Sequence, residues 1–191
     1  MSGSYFNDAG LFLVDTILGL YILIVLLRFL FQLTRADFYN PVSQFIVKLS
    51  NPPVVRLRRI VPGFWGIDFA AIVLLIVLEG TRISTTALLM GYTPHLTGVL
   101  VLSIAELIKL SIYVIVFSIF IRAVLSWFSA GNHHPLLQLL VSFTEPLMTP
   151  ARRLLPATGV LDLSPIIVFI ISMLVLKLLV QPLLDLGQLL M

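Results

Sequence analysis

The residues able to do chemistry in this sequence are charged side chains set in or beside long apolar runs. Arg28 and Asp68 are 40 residues apart, and so are Arg122 and Asp162. An unpaired charge at the centre of a membrane helix costs at least ~2.5–3.5 kcal/mol. The spacing therefore predicts arginine–carboxylate pairs near one face of a membrane, either Arg28 with Asp68 and Arg122 with Asp162, or the same groups crossed between halves. Such forks fix how helices dock. A second set contains Asp15, Glu79 and Glu106 against Arg82, Lys109 and Lys177. Three acids balance three bases, and Glu79–Arg82 and Glu106–Lys109 have the i, i+3 spacing of pairs on one helix. This set reads as internal neutralisation, with a polar cleft or ion path as the alternative. A third set, Arg58, Arg59, Arg152 and Arg153, is suited to anionic lipid headgroups at ~1 kcal/mol per charge.

Other chemistry finds no foothold in the sequence. There is no cysteine, which excludes thiolate zinc sites, iron–sulfur clusters and a disulfide framework. No G-x-S-x-G, H-E-x-x-H or phosphate-loop motif occurs. His133 and His134 are adjacent but lack further ligands for a metal. No histidine lies within a predicted span, so a haem held by two intramembrane histidines is unsupported. The expectation is a non-enzymatic protein with no catalytic residue, metal or cofactor. Net charge is +3 and the sequence pI about 9.5; membrane topology explains these basic residues better than nucleic-acid binding.

The elements that position these charges are membrane helices. Of the 191 residues, 59% are hydrophobic and 11% charged, against roughly 45–50% and about 25% in a soluble domain. Four runs are long enough to cross ~30 Å of hydrocarbon: about Ala9 to Leu33, Ile67 to Met90, Leu100 to Phe128, and Leu163 to Leu184. No basic n-region or cleavage site marks a signal peptide. Loop 34–66 carries Arg35, Lys48, Arg56, Arg58 and Arg59, and loop 129–162 carries Arg152 and Arg153, whereas the connection holding His95 and both termini lack Lys and Arg. Positive loops stay inside. The expectation is a multi-pass protein of the bacterial inner membrane, with both long loops cytoplasmic and both termini periplasmic.

Shifting the chain by 94 residues reveals a repeat. Residues 28–72 match 122–166 at 11 of 45 positions, where composition alone gives about three or four. The matches include Arg28/Arg122, Pro41/Pro135, Gln44/Gln138, Pro52/Pro146, Arg58/Arg152, Arg59/Arg153, Pro62/Pro156 and Asp68/Asp162. Each repeat, 1–94 and 95–191, has two spans, so the two are parallel and related by an axis near the membrane normal. Pro41 and Pro135 are suited to begin a helix. Val42, Phe45, Ile46 and Leu49, and likewise Leu136, Leu139, Leu140 and Phe143, then form one apolar face, with Pro52 and Pro146 expected to end the helix. These segments read as interfacial helices on the cytoplasmic leaflet, with Phe45 and Phe143 at acyl-headgroup depth; packing on the bundle is the alternative. On the third span, Ser111, Ser118 and Arg122 share one face, as in close helix packing.

The pattern Arg28, Asn40-Pro41, Asn51-Pro52, Arg58-Arg59-Ile60-Val61-Pro62 and Asp68 resembles the YggT family, also called YlmG. So does its second copy, Arg122, Trp127, His134-Pro135, Glu145-Pro146-Leu147, Arg152-Arg153-Leu154-Leu155-Pro156 and Asp162-Leu163-Ser164-Pro165. The resemblance covers nearly the whole chain. The first copy departs at Leu33, where the second has Trp127, and at Ala71, where the second has Pro165. The resemblance implies a small bacterial inner-membrane protein with relatives in plastids, linked to cell-division gene neighbourhoods and to assembly of membrane complexes. The expected fold is all-α: four transmembrane helices as two parallel repeats, each with an interfacial amphipathic cytoplasmic helix. The expected role is a scaffold or assembly factor that meets anionic lipid and a membrane-protein partner or a second copy of itself; the alternative is a small oligomeric ion channel or transporter.

Overall fold

The computed structural model describes residues 2–64, 66–128, 134–154 and 162–191. Six helices follow in order: α1 (Ser2–Leu33), α2 (Pro41–Arg58), α3 (Phe69–Leu89), α4 (Leu96–Phe128), α5 (Pro135–Arg153) and α6 (Ser164–Leu189). α1, α3, α4 and α6 are long and apolar enough to cross a membrane. They coincide with the four runs predicted, each shifted by a few residues at its ends. α1 packs mainly on α3, α3 on α4, and α4 on α6, while α2 and α5 lie across one end and touch each other.

Local chemistry sets the boundaries. Asn40 accepts from the Val42 amide at 3.0 Å, and Pro41 opens α2 where its missing N–H is not needed. Asp68 accepts from the Ala71 amide at 3.3 Å to cap α3. α3 is closed by Gly91, two residues past its end, whose φ of 85° lets Tyr92 donate to Ala87 and Gly91 to Leu88; this is a Schellman closure. α1 ends in the same way, with Ala36 donating to Phe31 and Arg35 to Gln32, but the left-handed residue is Arg35 at φ 53°. In α6, residues Leu176–Val180 form a π-helical turn just ahead of Pro182. A proline withholds one backbone donor, and the wider turn re-pairs the Gln181 N–H with the Leu176 carbonyl.

Pro52 and Pro146 do not end their helices. α2 continues to Arg58 and α5 to Arg153 with the prolines inside. An interior proline costs about 3 kcal/mol, and tertiary contacts of the flanking residues offset it. Val54 and Ala151 beyond the prolines are buried, and residues just before each proline hold an arginine of the preceding span.

The main core joins both repeats. Ile22, Val25, Leu26 and Leu30 of α1, Ile46 and Val54 of α2, and Leu75 of α3 pack with Leu139 and Phe143 of α5. Phe143 is fully buried, with its ring 5.2 Å from that of Phe31 at an interplanar angle of 71°. This corrects the expectation for α5: its apolar face packs on the bundle instead of entering lipid. Apolar spacing alone does not say which apolar medium covers a face. α2 divides, with Ile46 buried and Phe45 62% exposed. A second cluster, Leu102, Ala105, Val180 and Leu184, joins α4 to α6. There, a Cβ on Gly187 would lie 2.6 Å from Leu102, so only glycine permits this approach.

Candidate functional site

The most developed polar site lies where α2 and α5 meet the ends of the spans, and it occurs twice. In the first repeat Arg28, 5% exposed, donates to Ser50 Oγ at 3.2 Å and Asn51 Oδ1 at 2.6 Å. Ser50 in turn donates to the Ile46 carbonyl at 2.7 Å. Arg58 forks onto Asp68 at 2.6 and 3.4 Å. In the second repeat Arg122 donates to Thr144 Oγ1 at 2.8 Å and Glu145 Oε2 at 3.0 Å. Thr144 donates to the Leu140 carbonyl at 2.7 Å. Arg152 donates to Asp162 at 3.0 Å and also to Glu145. Every one of these positions recurs at 94 residues: 28/122, 50/144, 51/145, 58/152 and 68/162.

The predicted partners are thus rearranged. Asp68 and Asp162 are ion-paired, but with Arg58 and Arg152, ten residues before each on the same loop. Asp68 acts on Arg28 only through space. The reason is geometric: the end of α2 or α5 brings its arginine beside the cap of the next span, while the span arginine is met first by the helix crossing it. Arg58 and Arg152 therefore serve as internal ties as well as surface charges. Arg59 and Arg153 are exposed and make no ion pair among the described residues, as suits a headgroup contact. Ser50 and Thr144 escaped the sequence reading, and Asn51 and Glu145 entered it only as part of the family pattern, with no role assigned. The signal for the pairing was their position just before Pro52 and Pro146, since Ser/Thr and Asn/Glu fill the same place in the two repeats with different residues.

The two copies differ electrostatically. Glu145 bridges Arg122 and Arg152, so the second repeat holds one continuous chain, Arg122–Glu145–Arg152–Asp162, with balanced charge. Asn51 is neutral and leaves the first repeat in two pieces. Partial burial pushes the Glu145 carboxyl up, but Arg122 and Arg152 outweigh it and hold the group below its ordinary range. Asp162 is likewise held low, because the Ser164 and Arg152 hydrogen bonds overcome burial. Arg152 is raised, chiefly by Asp162.

Within the spans, Arg82 gathers a cluster. It forks onto Glu79, with Nε 3.2 Å from both carboxylate oxygens, and reaches Asp15 of α1 at 2.9 Å. Glu79 is 3% exposed. Lys109 pairs with Glu106 at 3.1 Å. Lys177 is exposed and joins neither group. Ser118 of the third span is buried, and Ser111 donates to the Leu107 carbonyl. Among the described residues no group of three or more His, Asp or Glu is placed to hold a metal. His133 and the Trp127 side chain lie outside the described residues.

The arrangement is a pair of polar clamps, each fastening a surface helix to a membrane hairpin. The sequence profile of the CCB3/YggT family matches residues 8–89 and again 101–183. An uncharacterized protein of Pseudomonas aeruginosa is 45% identical over 166 residues, covering 86% of this chain and 84% of the relative. The protein from the proC 3′ region of Vibrio alginolyticus is 40% identical over 161 residues, covering 83% and 86%. Uncharacterized protein YggT of Escherichia coli K12 is 34% identical over 160 residues, covering 84% and 83%. No solved structure matches the chain. With both clamps built from the doubled motif and the family profile matching twice, the chain belongs to the CCB3/YggT family.

Proposed function

We propose that this chain is a non-enzymatic scaffold of the bacterial inner membrane that organises or assembles membrane complexes, with α2 and α5 on the cytoplasmic side. The observation that carries this reading is the use of the polar network. Its arginines and carboxylates are engaged with one another across α2, α5 and the hairpin ends, an arrangement suited to holding a platform in place. The platform's outward side offers Arg56, Arg59 and Arg153 together with Tyr39, 91% exposed, and Phe45. Basic residues beside exposed aromatics suit anionic headgroups and the rim of a partner protein. The positive loops support the cytoplasmic placement.

The test is crosslinking in native membranes followed by purification. A defined set of co-purifying membrane proteins is expected, depleted when Arg56, Arg59 and Arg153 are replaced by Gln. Reporter fusions at Ser50 and His95 should report opposite sides of the membrane. Ion flux from purified chain in liposomes, abolished by Glu106→Gln or Lys109→Met, would overturn the scaffold in favour of transport.

A further inference from the structure

Apart from Asp8 and Asp185 near the helix ends and the arginines held by α2 and α5, the charges inside the spans form two patches that do not balance separately. Around Arg82 there are two carboxylates for one cation. Glu79 already takes the guanidinium as a fork, which makes Asp15, with 49% of its side chain exposed, the surplus anion. In the middle of α4 and α6 the opposite holds: Glu106 and Lys109 satisfy each other, both about one-third exposed, while Asp185, eight residues beyond Lys177, accepts from Gln181, and Lys177 has no ion pair among the described residues. The two surpluses are opposite in sign.

Lys177 is poorly placed to escape into water. It lies 13 residues after Ser164 and 12 before Leu189, about 18–20 Å along the helix from either end, whereas a lysine stem reaches only about 6 Å. It sits in the π-helical turn, on the α6 face shared with Ile166, Ile170 and Met173, all exposed. That face borders an apolar groove between α4 and α6, of about 710 Å³, lined by Tyr113, Phe117, Phe120, Ile166 and Phe169. Glu106 and Lys109 precede Tyr113 by seven and four residues, so they lie on the same face of α4, beyond the end of the groove. Lipid tails can cover the groove but cannot neutralise the ammonium. Arg82 also lies 13 residues after the start of its helix, Phe69, so each patch sits a similar distance along its own hairpin.

From this split we infer that the chain binds a second copy of itself head to tail, the α4/α6 groove with Lys177 of one copy receiving the α1/α3 seam with Asp15 of the next. The counter-ion each surface lacks is the one the other surface has in excess. Desolvated like charges across the contact would repel, so the pairing also fixes which surfaces meet. A contact between two different surfaces is heterologous and closes as a ring or extends.

The chain has no cysteine, so the test needs no background removal. Purified chain reconstituted into liposomes is counted by single-molecule photobleaching across protein-to-lipid ratios. Wild type is expected to associate, and Lys177→Glu or Asp15→Lys is expected to weaken association about tenfold or more, the range for opposed charges in a desolvated contact. The double variant in one chain, or an equal mixture of the two single variants, should recover association. Lys177 is on the surface, so Lys177→Glu should retain wild-type helicity and leaves the test valid if Asp15→Lys misfolds. Lys177→Cys chains mixed with Asp15→Cys chains should form mixed disulfides, and Lys177→Cys alone should not. A monomer at every ratio, unchanged association of Lys177→Glu, or disulfides between two Lys177→Cys chains would overturn the inference.

Discussion

Replacing Glu145 by Asn converts the clamp of the second repeat into that of the first, and the structure sets the size of the effect. The substitution removes one charge-assisted bond from Arg122 at 3.0 Å and one from Arg152. Each such bond contributes ~1.5–3 kcal/mol when shielded. Glu145 is 38% exposed on its side chain, and screening lowers the sum to about 1–2 kcal/mol. Asn still accepts from Arg122, as Asn51 does from Arg28, and Arg152 keeps Asp162. The expected loss in thermal stability, followed by circular dichroism in detergent, is about 2–8 °C for a chain of this length. The reciprocal change, Asn51→Glu, should bridge Arg28 to Arg58 and raise the midpoint by about 1–3 °C. The pH dependence sharpens the test. The Glu145 pKa is lowered by folding, so its stabilisation is complete above its ordinary value near ~4.3 and is lost as pH falls through the lower folded-state value. Wild type should therefore lose stability on acidification below about pH 4.5, and Glu145→Asn should lose less of it. Equal midpoints for wild type and Glu145→Asn at pH 7, or Asn51→Glu as damaging as Glu145→Asn, would refute the bridging role.

Three further outcomes follow from local geometry. Arg35→Gly should stabilise the fold by up to about 1 kcal/mol, read as a higher thermal midpoint, because glycine adopts the left-handed closure of α1 without a Cβ clash. Gly187→Ile should force α6 away from Leu102 and lower the midpoint by several degrees, the penalty of overpacking being about 1–3 kcal/mol; Gly19→Ile, where a Cβ meets nothing within 4 Å, serves as the neutral control. A double-mutant cycle of Arg58→Met with Asp68→Asn should show a coupling of about 0.5–2 kcal/mol, while Arg28→Met with Asp68→Asn should show less; the reverse order would restore the originally expected pair.

Much of the architecture is legible in the residues themselves. Four apolar runs of spanning length admit one solution, since a backbone in hydrocarbon has to satisfy its own hydrogen bonds as helix. Arg, Asp and Pro recurring at 94 residues showed the duplication. The i, i+3 spacing of Glu79–Arg82 and Glu106–Lys109 is a property of one helix and needed no fold. Tertiary structure decided whatever depends on how separate helices cross. Arg28 met Ser50 and Asn51 because α2 passes over it, and Asp68 took Arg58 because α2 runs on through Pro52 to the start of α3. Phe45 and Phe143 occupy repeat-related faces, yet one is exposed and the other is in the core, because the two repeats pack on each other asymmetrically and α5 closes against Phe31. Asp15 found Arg82 across a helix pair, while Lys177 met no opposite charge among the described residues. Periodicity fixes which residues share a face; only the packed neighbours determine whether that face meets lipid, the other repeat or an opposite charge.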